Sequence, residues 1–189
     1  ESIDDTGRMY LETIVDGGKR MQRLISDLLE YSRVGRMGNP RENTPLRQPI
    51  DEAMALLHLR IQESGAIVTI DDLPDVWIDH AQMIRVFQNL IGNAIKYRSK
   101  KDPEVRIWSR DSSDMWEIYV SDNGIGISEE FFDQVFIIFK RLHTREEYPG
   151  TGIGLAICRR IVERHGGSIS VSSNLNEGTT FELTLPKRP

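Results

Sequence analysis

The sequence predicts an α+β protein in which helices and a mixed, largely antiparallel sheet form a two-layer α/β sandwich, preceded by one long helix. Apolar residues recur at helical spacing in some segments, and polar and apolar residues alternate in shorter ones. Two pairs of the alternating segments are joined by the turn-like stretches "DSSD" and "NLNEG", so we expect two antiparallel hairpins. The predicted helices are residues 9–34, 50–64, 80–97, 129–135 and 153–165, and the predicted strands are residues 66–71, 104–110, 115–122, 168–173 and 179–186.

The first helix carries an apolar seam that it cannot bury by itself. Apolar and small residues recur three and four positions apart in a heptad-like pattern, at Leu11, Ile14, Gly18, Met21, Ile25 and Leu28. We therefore expect partner helices, although docking of this helix on its own domain is an open alternative.

Residues 35–49 contain three prolines and two glycines, which are typical of a boundary. We divide the chain into a helix (1–35), a linker (36–45) and a second domain (46–189).

The composition is that of a globular protein rather than a disordered or membrane-spanning one. Hydrophobic residues make up 39% of the 189 residues and charged residues 28%, and no apolar run is long enough to cross a bilayer. The net charge of −5 argues against a nucleic-acid partner. The polar, acidic start is unlike a signal peptide, and the single cysteine, Cys158, excludes an internal disulfide. We expect a cytoplasmic location and no membrane contact by this part of the chain.

The helix predicted at residues 80–97 carries a polar stripe that includes two asparagines. On a helical wheel, five polar residues fall within about 40° of their mean direction, and apolar residues occupy the other side. The stripe consists of Gln82, Arg85, Asn89, Asn93 and Lys96. An amide oxygen is a suitable ligand for Mg²⁺ and a lysine one turn on suits phosphate, so we expect metal at Asn93 and phosphate at Lys96. A solvated polar face is the alternative interpretation.

The motif "DNGIGI", residues 122–127, directly follows a predicted strand. Gly124 and Gly126 permit backbone conformations and a close approach of a ligand that a Cβ atom would block. The ionised carboxylate of Asp122 can only accept hydrogen bonds. It would take the exocyclic N–H of adenine and would disfavour guanine, which presents an oxygen at that position. An ordinary turn is the alternative interpretation.

A second glycine motif, "YPGTGIGLAI", leads directly into a helix. Gly150, Gly152 and Gly154 would line a helix N-terminus with backbone amides, which predicts an anion site. The G-x-G-x-G spacing is not that of a Rossmann fingerprint, and no G-K-[ST] completes a Walker A loop. The sequence therefore predicts an anion site of another type.

Residues 136–148 lie between the two glycine motifs and suggest a lid over the anion site. Phe136 and Phe139 are the candidate anchors of this lid, and Arg141 is placed to reach a terminal phosphate. The remaining charged residues would also suit a solvated connector. They are Lys140, His143, Arg145, Glu146 and Glu147.

Four of these motifs, in this order, resemble the N, G1, F and G2 boxes of sensor histidine kinases: "NLIGNAIKY", "DNGIGI", "FIIFKRL" and "GTGIGLAI". The stretch "GTTFELTLP" is similar to the closing strands of that family, so the similarity covers residues 46–186. The lid "RLHTREEYPGTGIGLA" is especially similar to phytochrome-like and PAS-linked sensor kinases of bacteria and archaea. Residues 1–35, with "MQRLISDLLEYSRVG", resemble the second helix of the dimerisation and phosphotransfer hairpin.

The resemblance implies the Bergerat-type ATP-binding sandwich shared with type II topoisomerases, Hsp90 and MutL, with ATP and Mg²⁺ as ligands. It implies that Asn93 binds Mg²⁺ with Asn89 beside it, and that Asp122 selects adenine with support from Thr180. The residues implied in catalysis are Asn93, Lys96 and Arg141. The residues implied in nucleotide binding are Asn89, Asn93, Lys96, Tyr97, Asp122, Gly124, Gly126, Arg141, Gly150, Thr151, Gly152, Gly154, Leu155 and Thr180.

Two departures from the family pattern bear on the reaction. Related ATPases carry a glutamate that activates water where this chain has Asn89, and an amide cannot act as a base. The phosphoacceptor of the family is a histidine in an H-E/D-x-x-x-P type box, and none of the four histidines here fits. They are His58, His80, His143 and His165. The resemblance therefore implies transfer of the γ-phosphate to a histidine outside this chain.

The leading hypothesis is a protein-histidine kinase fragment that binds Mg²⁺–ATP and phosphorylates the histidine-containing dimerisation domain of the same protein. A response-regulator receiver domain would be a further partner, and the intact protein would be a homodimer in a two-component system. Three alternatives stay open: an ATP-hydrolysing enzyme of the same fold, a non-catalytic nucleotide-sensing or dimerisation module, and a serine-directed kinase of the anti-sigma type.

Overall fold

Five α-helices and seven β-strands make up the described part of the chain, which in this computed structural model comprises residues 4–34, 38–144, 147–148 and 150–188. The helices are α1 (Asp5–Val34), α2 (Arg47–Leu56), α3 (His58–Ser64), α4 (His80–Lys96) and α5 (Gly154–Arg164). The strands are β1 (Glu42–Pro45), β2 (Ile67–Ile70), β3 (Asp75–Ile78), β4 (Glu104–Ser112), β5 (Met115–Asp122), β6 (Ile169–Asn174) and β7 (Gly178–Pro186).

Some predictions fall on residues outside the described ranges. These are residues 1–3 of the predicted N-terminal segment, residues 35–37 at the predicted boundary, Arg145 and Glu146 of the predicted lid, Pro149 of the second glycine motif, and Pro189 at the end of the predicted second domain. Where a short helix was predicted at residues 129–135, the structure has two 3₁₀ turns, at Glu129–Phe131 and Gln134–Phe136.

The central sheet has five strands in the order β2-β4-β5-β7-β6. Strand β2 pairs in parallel with β4, whereas the pairs β4–β5, β5–β7 and β6–β7 are antiparallel. The pairs β4–β5 and β6–β7 are the two predicted hairpins. Helices α4 and α5 contact the sheet, and Ile118 and Val120 of β5 are buried in the shared core. The predicted two-layer sandwich with a mixed, largely antiparallel sheet is confirmed.

Two short strands do not follow from the sequence pattern. Strand β1 pairs antiparallel with β3, with Thr44 opposite Val76, so the stretch predicted as irregular at residues 35–49 contains a strand. The sequence of β1 is ENTP, a polar four-residue segment that ends in proline and gives no alternating signal.

Helix α2 also begins earlier than predicted, at Arg47. Pro49 lies in its first turn, where a missing N–H breaks no helical hydrogen bond.

The helix predicted at residues 50–64 is interrupted at Leu57, between α2 and α3. Leu57 has φ −98° and ψ 3°, and its N–H is shared between the carbonyls of Ala53 and Met54. The side chain of Leu57 is buried in the core. No glycine or proline marks this position, and the apolar periodicity therefore predicts one continuous helix where the structure has two.

Helix α1 is only partly covered by the rest of the chain. Its C-terminal half packs against α5, with Leu24 and Tyr31 against the core and Val34 buried. The predicted seam is 46% to 68% exposed, at Leu11, Ile14, Met21, Ile25 and Leu28. The helix thus docks on its own domain and also keeps an uncovered apolar surface. Among the described helices, α1 included, none is both long and apolar enough to span a bilayer.

A buried polar contact joins the start of α4 to the end of α5. Asp79 is 1% exposed and caps α4, because its Oδ1 accepts the N–H of Gln82. The backbone N–H of Asp79 donates to Nε2 of His165 at 2.9 Å, so the ring proton of neutral His165 sits on Nδ1. Nδ1 donates to the carbonyl of Ile161 at 2.7 Å. Burial lowers the pKa of His165, which favours this neutral ring.

We expect this contact to make the free energy of unfolding depend on pH. Because the folded pKa of His165 is lower than that of the unfolded chain, the stabilisation is complete above about pH 6.5 and decreases as the pH falls below that value. Urea unfolding at about pH 7.5 and about pH 5.5 should show a larger acid-induced loss for the wild type than for His165→Gln. His58→Gln changes an exposed histidine and should keep the wild-type dependence. Equal losses in all three proteins would contradict the neutral ring.

Candidate functional site

A cavity of about 220 Å³ lies where α4, the end of β5, the glycine-rich loop before α5 and the predicted lid meet. Most of the residues predicted at the nucleotide site line it: Asn89, Asn93, Lys96, Tyr97, Asp122, Gly126, Arg141, Gly150, Thr151, Gly152, Gly154 and Leu155. Gly124 and Thr180 are not among the lining residues. The fold therefore brings the predicted motifs together on one cavity.

Helix α4 supplies a polar wall of the cavity, because its apolar residues are buried on the opposite side. The Nδ2 of Asn89 donates to the carbonyl of Arg85 at 2.9 Å, one turn earlier in the helix. The Oδ1 of Asn89 is thereby directed toward the glycine-rich loop. A methyl group at Gly154 would lie 2.4 Å from this oxygen, so a larger residue there would displace the side chain of Asn89.

Lys96 lies beside Tyr97 at the C-terminal end of α4. Its Nζ donates to Oη of Tyr97 at 2.6 Å and lies 4.1 Å from the centroid of the tyrosine ring. Burial, followed by the charges of Arg141 and Arg60, lowers the pKa of Lys96 to about 8. This accumulation of positive charge beside a cavity indicates a site for an anion.

We expect the affinity of the cavity for a nucleoside triphosphate to fall as the pH rises above about 8. A phosphate beside Lys96 favours the charged ammonium and raises its pKa, so binding takes up a proton once the free group has lost it. Calorimetry with an ATP analogue between about pH 7 and about pH 9.5 should show this weakening for the wild type. Lys96→Arg keeps its charge over that range and should show a flatter profile. Identical profiles would contradict a phosphate contact at Lys96.

Asp122 lies at the end of β5 with its carboxylate largely buried. Its Oδ1 accepts the N–H of Gly124 at 2.8 Å and the N–H of Thr179 at 3.2 Å. Burial raises the pKa of Asp122, and these two backbone hydrogen bonds act against that rise. Within the described residues both contacts use Oδ1, which leaves Oδ2 available to accept a hydrogen bond from a ligand.

The threonine that lines the cavity beside Asp122 is Thr179 rather than the predicted Thr180. Thr179 is buried and pairs with Asp122 across β5 and β7. Side chains alternate along a strand, so Thr180 points to the other face of the sheet, where its Oγ1 lies 2.8 Å from Oγ of Ser121. The prediction for Thr180 is therefore corrected by one residue.

The two glycines of the "DNGIGI" loop allow close packing of backbones. A Cβ atom at Gly124 would lie 2.5 Å from the carbonyl oxygen of Tyr97, which explains glycine at a position that does not line the cavity. Gly126 has φ +75°, and a Cβ atom there would lie 2.1 Å from the carbonyl oxygen of Asn174. The loop is thus held between the end of α4 and the turn that joins β6 to β7.

The lid contacts α4 through an aromatic cluster. The ring centroid of Tyr97 lies 5.9 Å from that of His143 and 4.9 Å from that of Tyr148. Nη2 of Arg141 donates to the carbonyls of Thr144 at 3.1 Å and Tyr148 at 2.6 Å. Arg141 therefore contacts the cavity while part of its guanidinium group bonds the lid backbone.

Only one of the two predicted lid anchors is buried. Phe136 packs in the core and meets the ring of Phe181 edge-on at 6.3 Å. Phe139 is 55% exposed and has φ +66°, and its N–H donates to the carbonyl of Gly152 at 3.0 Å. The prediction that the ring of Phe139 anchors the lid is wrong, because the contact there is made by the backbone.

The motifs did not indicate several residues that line the cavity. Six of these residues are apolar: Ile125, Ile127, Val135, Leu142, Ile157 and Phe181. Two others are polar: Thr179, beside Asp122, and Asp27, whose carboxylate reaches the cavity from α1. No local pattern in the sequence signals that contact, because it depends on how α1 docks.

The amide side chains of α4 suit a metal ion that is shared with phosphate. Among the described residues, no group of three or more His, Cys, Asp or Glu side chains is arranged to hold a metal. Mg²⁺ commonly takes only one or two protein oxygens and completes its shell with water and phosphate oxygens. Asn89 and Asn93, one turn apart on α4 and both lining the cavity, offer amide oxygens that would fit this requirement.

A sandwich of helices on a largely antiparallel sheet, with a glycine-lined anion cavity, is the architecture of a class of nucleotide-binding proteins. The family model described as "Histidine kinase-, DNA gyrase B-, and HSP90-like ATPase" matches residues 78–189. The chain belongs to this family of ATPase domains. The matched range includes the polar stripe of α4, the "DNGIGI" loop, the lid and the glycine-rich loop.

Relatives of the chain include a phytochrome-like protein and a regulatory histidine kinase. The phytochrome-like protein Cph1 of Synechocystis is 44% identical over 186 residues, which are 98% of this chain and 25% of Cph1. The methanogenesis regulatory histidine kinase FilI of Methanothrix harundinacea is 33% identical over 96% of this chain and 20% of FilI. The chain thus spans a quarter or less of the length of these relatives.

A solved structure of a histidine kinase has the same fold. The catalytic domain of ThkA is 30% identical and aligns with a TM-score of 0.68 over 80% of this chain and 98% of that domain. ThkA in complex with the response regulator protein TrrA is 25% identical over the aligned part, with a TM-score of 0.72 over 100% of this chain and 54% of that chain. The second alignment includes α1.

Proposed function

We propose that this chain binds Mg²⁺–ATP and transfers the γ-phosphate to a histidine on the dimerisation domain of a two-component sensor kinase. The observation that supports this most directly is the convergence of Asp122, the amides of α4 and the glycine-rich loop on one cavity. A carboxylate can accept a hydrogen bond from a base, amide oxygens can hold a metal, and backbone N–H groups can bind phosphate. A nucleoside triphosphate with its metal needs all three contacts. The membership of the chain in the ATPase family agrees with this ligand.

Residues that line the cavity would contact the base, the phosphates and the metal of the nucleotide. The carboxylate of Asp122 would accept the exocyclic N–H of adenine, with Thr179 beside it. Lys96 and Arg141 would neutralise phosphate charge, and the amides of the glycine-rich loop at the start of α5 would bind phosphate oxygens. Mg²⁺, held by Asn93 and Asn89, would offset the remaining charge on the phosphates. The contribution of these residues to catalysis is positioning and charge neutralisation.

The side chain of Asn89 favours transfer over hydrolysis. Its Nδ2 is bonded to the carbonyl of Arg85, and an amide oxygen cannot remove a proton from water. Among the described residues, the carboxylates that line the cavity are Asp122 and Asp27, and each already accepts hydrogen bonds within the protein. Neither of them stands at the position of Asn89, where related ATPases carry the glutamate that activates water.

The acceptor would lie outside this chain. His58 is exposed on α3, His80 contacts Glu52 at 2.8 Å, His143 stacks in the lid and His165 is buried. The exposed apolar seam of α1 fits a second hairpin helix that associates with a first helix and with a second copy. ThkA forms a complex with the response regulator protein TrrA. By analogy, a response regulator would receive the phosphoryl group from the histidine of this sensor kinase.

The proposal is tested by adding a separate hairpin domain that contains a phosphoacceptor histidine. The 189-residue chain with radiolabelled ATP should place acid-labile phosphate on the added hairpin, only when Mg²⁺ is present, and little on itself. The Asn93→Ala variant should transfer no phosphate to the hairpin, because the substitution removes the proposed metal contact. Phosphate on this chain alone would refute the external acceptor. Release of inorganic phosphate without any acceptor would favour the ATP-hydrolysing alternative.

A further inference from the structure

Helix α1 reaches the phosphate side of the cavity through one carboxylate. Oδ2 of Asp27 accepts the hydroxyl of Thr151 at 2.5 Å, and both residues line the cavity. Thr151 lies in the glycine-rich loop, directly before α5 begins at Gly154. The negatively charged carboxylate of Asp27 therefore accepts the hydroxyl of Thr151, within the same glycine-rich loop whose amides would bind an anion.

The same part of α1 is held on the domain by contacts outside the phosphate loop. Nη2 of Arg85 lies 2.6 Å from Oε2 of Glu30 and 4.0 Å from Oδ1 of Asp27. The guanidinium group of Arg160 lies 4.7 Å from the ring centroid of Tyr31. Together with the buried Val34, these contacts define the docked position of α1 on α4 and α5.

We propose that Asp27 couples the docking of α1 to the occupancy of the phosphate site, so that each disfavours the other. The inference rests on the proposed nucleotide function. In the docked state the carboxylate of Asp27 takes the Thr151 hydroxyl and adds negative charge beside the phosphates, which carry the same sign. A bound polyphosphate therefore favours release of α1 from the glycine-rich loop.

Thermodynamic linkage makes this coupling reciprocal. If docking of α1 weakens nucleotide binding by some factor, nucleotide must weaken docking by the same factor. Release of α1 would free the second domain (46–189) to move relative to the helix once nucleotide is bound. Without nucleotide, the domain would stay docked on α1. The helix would in this way sense whether the site is occupied.

The first test compares two variants with the same change of charge on the same helix. Asp27→Asn removes the charge at the cavity, and Asp16→Asn removes one from an exposed position of α1 that does not line it. Calorimetry with ADP should give a dissociation constant about fivefold or more lower for Asp27→Asn than for Asp16→Asn. The ratio should be larger in EDTA than with Mg²⁺, because the cation screens the phosphates.

The second test measures docking itself by hydrogen exchange of the amides in residues 24–34. ADP should increase their exchange in the wild type and in Asp16→Asn, and should have a smaller effect in Asp27→Asn. Equal affinities of the two variants in both solutions, or ADP that slows exchange in these residues, would overturn the coupling. Absence of ADP binding to every protein, the wild type included, would instead refute the proposed nucleotide function.

Discussion

Asp122→Asn is expected to weaken ATP binding roughly ten- to a hundredfold, the effect of losing one hydrogen bond to a charged group. The asparagine can keep Oδ1 as the acceptor for the N–H groups of Gly124 and Thr179, so the loop around it should be preserved. It would then present an NH₂ group to the exocyclic amine of adenine, and two donors would face each other. The affinity for GTP should fall much less, because guanine has an oxygen where adenine has its exocyclic amine and can accept from the new NH₂ group.

The unfolding free energy separates this effect from a general loss of structure. Burial raises the pKa of Asp122, which means that its charge is costly in the folded state, so the neutral asparagine should not destabilise the protein near neutral pH. Asp114→Asn makes the same change at an exposed position of the same hairpin and should leave ATP affinity unchanged. Equal losses for ATP and GTP would show that Asp122 does not read the base.

Gly126→Ala is expected to destabilise the fold by several kcal/mol and to weaken nucleotide binding with it. The positive φ of +75° alone costs a residue with a Cβ atom about 1–2 kcal/mol. In addition, the new methyl would lie 2.1 Å from the carbonyl oxygen of Asn174, and the displaced backbone should add about 1–3 kcal/mol. Because Gly126 lines the cavity, the shift also changes the wall that would face the base.

Gly65→Ala isolates the cost of the backbone conformation. Gly65 has φ +67° at the end of α3, and a Cβ atom there would have no neighbour within 4 Å. Chemical denaturation should therefore show a loss of only about 1 kcal/mol for this control. If Gly126→Ala and Gly65→Ala lost the same free energy, the close approach between Gly126 and the β6–β7 turn would have no energetic weight.

The elements that the sequence predicts well are those with a strong local signal. Helix α4 follows from apolar residues at helical spacing, and the hairpins follow from alternating residues on either side of a turn. Strands β1 and β3 each have only four residues and are stabilised by pairing with each other across a long stretch of sequence. The break at Leu57 has no glycine or proline to mark it. In both cases tertiary contacts decide the local conformation.

The candidate site shows the same division at the level of single side chains. Asn89, Asn93 and Lys96 line the cavity as predicted, because their spacing on one helix already places them on one face. The choice between Thr179 and Thr180 depends on the register of β7 on β5, and a shift of one residue reverses the face of the sheet. That register is not visible in the sequence of β7 alone.

The sequence by itself determined the chemistry of the site: a carboxylate at a strand end, two amides and a lysine on one helix face, and glycines before a helix. These are local properties, because residue type and helical spacing are sufficient to define them. Only the tertiary structure decided that α1 places Asp27 on Thr151, that Phe139 faces outward, and that apolar side chains from several elements line the cavity. Those contacts join residues far apart in the chain, so they follow from packing and not from any local pattern.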